Sequence, residues 1–270
     1  MTKYRLIAMD LDDTLLTDEL TVSAKTRDAM ARALAQGVKL TIATGRMFAS
    51  AKQTAEQVGL NVPIITYQGS LIRNLLDEQV LYERAVPADA ARKLYDFTRE
   101  RGLHLQTFIH DKLYAFNEGP KLFAYAKQSN IPYQVVSNFD DLPEGSHTKL
   151  IIIDEPEKLD ALMPVLRPLL GDEVHMTKSK ANFLEFIHPE GTKGHALRFL
   201  AAYFGIPMEE TIAMGDAWND REMIEAAGLG VAMANGVPAL REIADYVTLS
   251  NNEDGVAHVL EKFVLNQPEA

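Results

Sequence analysis

The sequence contains no cysteine, a single tryptophan and no hydrophobic run of membrane-spanning length. The absence of cysteine excludes disulfide bonds, thiolate nucleophiles and cysteine-ligated metal sites. A transmembrane helix needs roughly 20 consecutive apolar residues, and a secretory signal needs an apolar stretch near its amino terminus. Neither pattern is present, so we expect a cytoplasmic protein that does not associate with a membrane.

Positive charge is scarce as well. The chain has 27 Lys and Arg residues against 38 Asp and Glu residues, a formal net charge of -11, and no stripe rich in Lys or Arg. Such a charge repels polyanions at long range, which argues against nucleic acid as a partner. Small anionic substrates remain compatible if local positive charge binds them. The length of 270 residues fits one large domain, or a core with a smaller second domain.

Short apolar runs alternate with helical periodicity at both ends of the chain. Strands buried in a parallel sheet are typically continuous apolar runs, and the crossover between two of them is usually a helix. The pattern therefore predicts an α/β fold with one doubly wound parallel sheet built from both ends. The predicted strands are 6–9, 39–43, 64–67, 211–214, 229–233 and 246–249, and the predicted helices are 23–36, 48–58, 220–227 and 238–244.

The middle of the chain has a different pattern. Its strands come in adjacent pairs, such as 104–109 and 113–117, with longer helices between the pairs. Paired strands with short turns are typical of antiparallel hairpins. We expect an inserted α+β domain at 84–189 and a core made of 1–83 and 190–270, with a frayed tail at 266–270.

Three carboxylates crowd the end of the first predicted strand. Asp10, Asp12 and Asp13 follow the apolar run directly. Repulsion and desolvation would raise the pKa values of crowded carboxylates unless a cation or hydrogen-bond donors compensate, so such clusters occur in sites or on solvated turns. Ligands of open parallel sheets bind at the carboxyl ends of the strands, where Asp10 falls. This position favours a site.

Polar residues follow the second predicted strand too. Thr44, Gly45 and Arg46 place a hydroxyl group and the start of a helix at its end, an arrangement that could bind an anion or simply cap the helix.

A third strand end and an isolated lysine add further polar groups. Asp216, Asn219 and Asp220 follow strand 211–214, although Asn219 with Glu222 also fits a capping box. Lys193 lies in a Gly-Thr-Lys-Gly segment, which suggests a sharp backbone turn.

The predicted sheet would bring these groups to one edge. Asp carboxylates and a backbone carbonyl form a hard oxygen site, which suits Mg²⁺. An Asp beside Mg²⁺ and a lysine can attack phosphorus. The residues expected at this edge are Asp10, Asp12, Thr44, Asp216 and Asn219, with Lys193 nearby.

Together these segments resemble the four motifs of the haloacid dehalogenase superfamily, in the order that the superfamily requires. The whole chain is similar to the Cof-like subfamily, in which a type 2 cap is inserted between the second and third motifs. The motifs here are Asp10-Leu-Asp12-Asp-Thr14, Thr44-Gly-Arg46, Lys193 and Gly215-Asp216-x-x-Asn219-Asp220, supported by the segments 67–69, 183–187 and 253–257.

The resemblance implies a two-step phosphoryl transfer. Asp10 would attack phosphorus, and Asp12, with a raised pKa, would protonate the leaving oxygen and then activate water. Mg²⁺ would be held by Asp10, Asp216 and the backbone carbonyl of Asp12. The phosphoryl oxygens would be bound by Thr44, Lys193, Asn219 and the backbone amides of Leu11 and Gly45, while Asp220 would orient Lys193 or a metal-bound water.

Two residues depart from the family pattern. Asp13 stands where the family usually has glycine, and we expect it to point away from the metal. Gln68 stands where the family usually has asparagine, and it could alter substrate positioning.

Asp12 favours a phosphatase over a dehalogenase, because a dehalogenase has no ester oxygen to protonate and its family lacks this second Asp. In the resemblance, the cap at 84–189 would close over the site and contact the leaving group. Candidate substrate contacts are weak, since each has an ordinary structural alternative: His104, His110, His147, His175 and His188 in the cap, and Arg46 and Trp218 outside it.

The sequence therefore predicts a Mg²⁺-dependent phosphatase of small phosphorylated metabolites, as a monomer or small homo-oligomer. Sugar phosphates, pyridoxal phosphate and flavin mononucleotide are the substrate classes that the resemblance suggests. The alternatives are a phosphomutase of the phosphomannomutase type and a non-catalytic module that binds phosphorylated metabolites. A nucleotide-binding dehydrogenase is disfavoured, because no Gly-x-Gly-x-x-Gly follows the first strand.

Overall fold

The structure, a computed structural model, describes residues 3–60 and 62–265. The predicted tail at 266–270 lies outside the described residues. In chain order, the first elements are β1 (Leu6–Met9), α1 (Ala24–Ala35), β2 (Lys39–Ile42), α2 (Phe48–Gln57), β3 (Ile64–Thr66), β4 (Leu71–Arg73) and β5 (Val80–Glu83).

The middle of the chain follows with α3 (Ala88–Glu100), β6 (Leu105–Ile109), β7 (Lys112–Ala115), α4 (Pro120–Ser129), β8 (Tyr133–Val135), β9 (Lys149–Ile153), α5 (Pro156–Leu170), β10 (His175–Lys180) and β11 (Phe183–Ile187). The chain then continues through α6 (Lys193–Tyr203), β12 (Thr211–Gly215), α7 (Arg221–Ala226), β13 (Leu229–Ala232), α8 (Pro238–Ile243), β14 (Tyr246–Val247) and α9 (Gly255–Leu260).

A parallel sheet of five strands, in the order β14-β13-β12-β1-β2, joins both ends of the chain as predicted. Alternate side chains of β1 enter different hydrophobic clusters: Ile7 and Met9 pack with α1, α2 and α9, whereas Leu6 and Ala8 pack with α6 and α7. Helices therefore cover both faces of the sheet, and the predicted doubly wound α/β fold is confirmed.

β3 differs in part from the predicted pattern. It pairs antiparallel with β4 in a small sheet of order β3-β4-β5, and an isolated parallel bridge between Ala43 and Ile65 joins it to the parallel sheet. The third apolar run thus lies beside β2, but the chain turns back after three residues instead of extending the parallel ladder.

The inserted middle segment forms a six-stranded sheet in the order β10-β11-β9-β6-β7-β8, and the predicted α+β character is confirmed. Its strand pairs are antiparallel apart from β7 with β8. The predicted hairpin at Asp111 is present, with positive φ at His110 and Asp111. One face of the sheet packs on α3 and α5. Ile151 and Phe183 on the other face join the hydrophobic cluster of the core, so this face lies over the parallel sheet.

None of the helices within 3–60 and 62–265 is both long enough and apolar enough to cross a bilayer.

Candidate active site

Three adjacent strands deliver the predicted acidic and hydroxyl groups to one edge. β1 pairs in parallel with β2 and with β12, so their carboxyl ends lie side by side. Asp10 follows β1, and its N–H donates to the Met214 carbonyl oxygen at 2.9 Å. Asp216 follows β12, and Thr44 follows β2 after one residue. The juxtaposition predicted from the sequence is therefore present.

Lys193 links two of the carboxylates. It is the first residue of α6, whose N-cap Thr192 accepts a hydrogen bond from the His195 N–H. The Lys193 ammonium donates to Asp10 Oδ1 and, at 2.5 Å, to Asp220 Oδ1. The lysine side chain has no solvent exposure, so the helix start and the two carboxylates fix its position.

Asp220 also organises the loop after β12. Its Oδ2 accepts the N–H groups of Asp216 at 2.9 Å and Ala217 at 3.0 Å, while its Oδ1 accepts Lys193. The predicted contact between Asp220 and Lys193 is thus present, and the same carboxylate holds the backbone that carries Asp216.

The two glycines beside the lysine have different roles. The predicted sharp turn is present at 188–191, where the Gly191 N–H donates to the His188 carbonyl oxygen at 2.7 Å, whereas Gly194 serves close packing. Gly194 lies inside α6, and a Cβ there would lie 2.7 Å from the Glu222 carbonyl oxygen. Its missing side chain lets α7 approach α6 at this point.

The carboxylates outnumber their cationic partner. Burial raises the pKa of Asp10 well above its ordinary value, and Lys193 opposes this shift only in part. Burial, reinforced by Asp220, raises the pKa of Asp216 to about 7. Burial alone would lower the pKa of Lys193, but Asp10 and Asp220 outweigh it and raise that pKa. The site therefore favours an additional positive charge.

A divalent cation would supply that charge. Asp10, Asp216 and Asp220 each offer an oxygen within 4.8 Å of the others, and hard cations prefer such all-oxygen donors. Thr14 Oγ1 donates to Asp216 Oδ1 at 2.9 Å, which orients this carboxylate. The residues present fit a divalent metal. The carbonyl of Asp12 as a third ligand stays a prediction.

Asp12 lies beside this cluster in a bidentate ion pair. Arg46 Nε donates to Asp12 Oδ2 at 2.8 Å, and Arg46 Nη2 donates to Asp12 Oδ1 at 2.5 Å. Of the two alternatives left open for Arg46, the structure has the ion pair with a nearby carboxylate.

The loop after β2 differs from the anion site that its sequence suggested. α2 begins at Phe48, as predicted, and Thr44 Oγ1 accepts the Arg46 N–H at 3.1 Å. The first N–H groups of α2, on Phe48 and Ala49, donate to the carboxylate of Asp111, each at 3.1 Å. A carboxylate from the β6–β7 turn therefore caps this helix, and its N–H groups are not available to a substrate.

Asn219 does not form the alternative capping box. The N-cap of α7 is Asp220, which makes no side-chain capping bond. The Asn219 Nδ2 instead donates to Gln68 Oε1 at 2.8 Å, and Asn219 Oδ1 is buried without a partner among the residues of 3–60 and 62–265. The side chain of Asn219 is therefore bonded to Gln68 and does not cap α7.

Two buried charges from the inserted sheet were not identified as site residues from the sequence. Lys149 on β9 donates to the Gly45 carbonyl oxygen at 2.6 Å, and Glu185 on β11 accepts a hydrogen bond from Gln68 Nε2. Burial lowers the pKa of Lys149, and Glu185 opposes this shift. The sequence contains an indication of both residues, because each is the one charged residue in an otherwise apolar strand. The strands read Lys-Leu-Ile-Ile-Ile and Phe-Leu-Glu-Phe-Ile. Charges in buried strands are retained when they are paired or functional.

The backbone at Asp13 has a conformation that suits glycine, the residue that the family usually has at this position. Its φ is +59°, in the left-handed region that glycine occupies freely and aspartate tolerates. The side chain is exposed and is not among the three clustered carboxylates.

Most of the predicted site residues line a cavity of about 70 Å³ between the parallel sheet and the inserted sheet, whereas Leu11, Lys193 and Asp220 are buried and do not line it. None of the five candidate histidines lines it among the described residues. Trp218, 47% exposed, lines a neighbouring cleft together with His175, and Asn219 lines both the cavity and this cleft. The lining residues that carry the argument are Asp10, Asp12, Thr44, Gly45, Arg46, Lys149, Glu185, Asp216 and Asn219.

Comparison with known proteins places this arrangement in a family. Residues 7–260 match the haloacid dehalogenase-like hydrolases. The 5-amino-6-(5-phospho-D-ribitylamino)uracil phosphatase YitU of Bacillus subtilis is 31% identical over 267 residues, which cover 97% of this chain and 98% of that protein. The HMP-PP phosphatase of Escherichia coli O157:H7 is 30% identical over 237 residues, which cover 88% and 86%.

A solved structure of the same family is similar to this chain over nearly its whole length. The haloacid dehalogenase-like hydrolase from Bacteroides thetaiotaomicron has 30% sequence identity and a TM-score of 0.85, covering 96% of this chain and 98% of that one. The chain belongs to the haloacid dehalogenase-like hydrolases, as its motifs predicted, and is an enzyme of the phosphatase class.

Proposed function

We propose that the protein is a Mg²⁺-dependent phosphatase that hydrolyses small phosphorylated metabolites through an aspartyl-phosphate on Asp10. The observation that carries this proposal is the pairing of two differently placed carboxylates in one cavity. Asp10 is buried against Lys193, whereas Asp12 lies at the side of the cavity with Arg46. Binding alone needs neither a nucleophile nor a separate acid and base.

Asp10 supplies the nucleophile in the first step. A carboxylate oxygen forms a bond to phosphorus while the bond from phosphorus to the leaving oxygen breaks, and the leaving oxygen takes a proton from Asp12. Lys193 offsets the repulsion between the Asp10 carboxylate and the phosphoryl oxygens. Mg²⁺, held by Asp10, Asp216 and the Asp12 carbonyl, would add positive charge at the transferring group.

Asp12 acts in both steps. In the second step a water oxygen attacks phosphorus, its proton passes to Asp12, and the bond from phosphorus to Asp10 breaks, which restores the free carboxylate. Arg46 must release one oxygen of Asp12 before Asp12 can hold a proton for the leaving oxygen, while the bond to the other oxygen keeps the carboxylate in place.

The phosphoryl oxygens are bound by groups around the edge of the sheet. We assign this role to Thr44, to Lys193, to Asn219 and to the backbone amides of Leu11 and Gly45, and we assign to Asp220 the orientation of Lys193.

The substrate class follows from the size of the site and from the relatives. The cavity of about 70 Å³ can take a phosphoryl group, but pockets for whole organic ligands are typically about 300–1,000 Å³. We infer that residues 84–189 form a cap that moves away from residues 1–83 and 190–270 to admit the organic part. Sugar phosphates and phosphorylated nitrogen heterocycles, including pyridoxal phosphate and flavin mononucleotide, are the proposed substrates. Two relatives are named as phosphatases of 5-amino-6-(5-phospho-D-ribitylamino)uracil and HMP-PP.

The cellular setting is part of the same proposal. We propose a cytoplasmic enzyme, monomeric or a small homo-oligomer, that does not bind nucleic acid. The formal net charge of -11 supports the last point.

The test is phosphate release from a panel of phosphorylated metabolites, with Mg²⁺ or with a chelator, by the native protein and by Asp10→Asn. We expect Mg²⁺-dependent release by the native protein and a loss of at least about 10³-fold in the variant, because the amide is not a nucleophile. No release above the variant from any compound would overturn the proposal. Transfer to a sugar hydroxyl without free phosphate would favour the mutase alternative.

A further inference from the structure

Gln68 occupies a position that joins three parts of the molecule. It lies after β3, buried, with a φ of +66° that is unusual for a residue with a side chain. Its side chain packs so closely on the loop after β2 that a Cβ on Gly45 would lie 2.3 Å from Gln68 Nε2. It therefore touches the loop after β2 while its two polar side-chain atoms bond elsewhere.

The hydrogen bonds of the Gln68 side chain form a chain in which each residue donates to the next, from Asn219 to Gln68 to Glu185. The Asn219 Nδ2 donates to Gln68 Oε1 at 2.8 Å, and Gln68 Nε2 donates to Glu185 Oε2. An ionised carboxylate can only accept, so Glu185 requires Gln68 to present its NH₂ group. Gln68 must then present its carbonyl oxygen to Asn219, and Asn219 must present its NH₂ group in return.

The chain explains the unpartnered atom at its end. Among the described residues, Asn219 Oδ1 is buried without a hydrogen bond, although rotation of the amide would exchange the positions of Oδ1 and Nδ2. The fixed direction of the chain forbids that exchange, because two carbonyl oxygens would then face each other. One N–H of Asn219 is used by Gln68, and the second is left for a ligand.

Glu185 is itself fixed from the inserted sheet. It accepts from Ser179 Oγ at 2.7 Å and from Lys149 Nζ at 3.4 Å, and Lys149 also donates to the Gly45 carbonyl oxygen. Lys149 and Glu185 are 1% and 2% exposed, so these bonds are shielded from water. The direction of the Asn219 amide thus depends on groups of the inserted sheet.

We propose that Gln68 and Glu185 are positioning residues that aim an N–H of Asn219 at a phosphoryl oxygen, and that they do so only while the inserted sheet lies over the core. Phosphate binding and cap closure are then coupled, since displacement of Glu185 frees both amides to rotate. This inference rests on the proposed function, because it assigns Asn219 to the phosphoryl group.

The test measures the affinity of the Mg²⁺-loaded protein for inorganic phosphate by titration calorimetry at about pH 8, where carboxylates are ordinarily ionised. Gln68→Glu places a carboxylate against Glu185, and we expect phosphate affinity to fall at least tenfold. The double variant Gln68→Glu with Glu185→Gln restores a donor between the two positions and leaves an acceptor for Asn219. We expect it to recover affinity to within about threefold of the native protein.

Two further variants separate positioning from simple damage. In an Asn219→Ala background, Gln68→Glu should change phosphate affinity by less than about twofold, because the residue acts through Asn219. Gln106→Glu, a buried change of the same type on β6, should leave affinity unchanged. If Gln68→Glu does not fold, the comparison of Glu185→Gln in the native and Asn219→Ala backgrounds replaces it, with the larger loss expected in the native background.

The outcomes are separable from those of the function test. No rescue by the double variant, or an equal loss from Gln68→Glu with and without Asn219, would overturn the positioning role. Native protein that binds phosphate but releases none from any metabolite would overturn the phosphatase proposal and leave the positioning role to be judged by the same affinities.

Discussion

Arg46 holds both carboxylate oxygens of Asp12, with distances of 2.8 Å to Oδ2 and 2.5 Å to Oδ1. A bidentate guanidinium fixes the plane of a carboxylate as well as its position. The residue proposed as acid and base is therefore held at the side of the cavity, ready to turn towards the leaving oxygen.

Arg46→Lys keeps the positive charge but loses the planar fork. We expect kcat/KM for phosphate release to fall about tenfold, because Asp12 is no longer held in one orientation. Arg84→Lys, which alters the exposed ion pair with Glu190, is the matched control and should change little. An additional loss of the same size in an Asp12→Asn background would contradict the idea that Arg46 acts through Asp12.

Asp216 should make the metal-free native protein lose stability relative to Asp216→Asn as pH rises from about 4 towards 7. The pKa of Asp216 is about 7 in the folded protein and returns to about 3.9 in the unfolded chain. Between these values the folded state holds a proton that the unfolded state has lost, so the free energy of unfolding decreases with pH.

A divalent cation can replace that proton. The increase in Tm on adding Mg²⁺ should therefore grow between about pH 5 and about pH 8, as measured by thermal unfolding with Mg²⁺ and with a chelator. Asp216→Asn should flatten the pH dependence without metal. An increase in Tm that is the same at every pH would show that the cation does not bind at this carboxylate.

The buried pair of Lys149 and Glu185 should affect stability chiefly through the charge that remains when one partner is removed. Lys149→Met leaves Glu185 buried without its cation, and we expect a loss of about 3–5 kcal/mol in the free energy of unfolding. Adding Glu185→Leu removes the uncompensated charge and should recover most of that loss, as measured by urea unfolding. A double variant no more stable than Lys149→Met alone would count against this explanation.

Asp111, in the turn between β6 and β7, should stabilise the start of α2. Its carboxylate accepts the N–H groups of Phe48 and Ala49 and the hydroxyl of the buried Tyr67. Asp111→Ala should therefore cost about 2–4 kcal/mol and speed hydrogen exchange at those two amides. Asp141→Ala removes a carboxylate that caps an exposed turn instead, and should leave the exchange of Phe48 unchanged. Unchanged exchange in Asp111→Ala would show that another group satisfies the helix start.

Much of the fold could be predicted from the sequence because its signals are local. The apolar run at 6–9 and the polar residues directly after it indicate both a buried strand and the site at its end. The motifs also identified Asp10, Asp216 and Lys193, which the structure brings together. The antiparallel turn of β3 and the capping of α2 by Asp111 were not predicted, because each depends on partners distant in sequence.

The sequence by itself determined the sheet, the insertion and the acidic edge, since strand periodicity and the position of a residue after its strand do not depend on distant contacts. Only the tertiary structure decided the partners of the polar groups. Arg46 meets Asp12 34 residues away, and Gln68 meets Asn219 151 residues away and Glu185 117 residues away. The pair of Gln68 and Glu185 forms where the inserted sheet lies on the core, whereas the other two pairs join loops of the core that are distant in sequence. The packing of one element on another is set by the shapes and charges of both, which no local pattern contains.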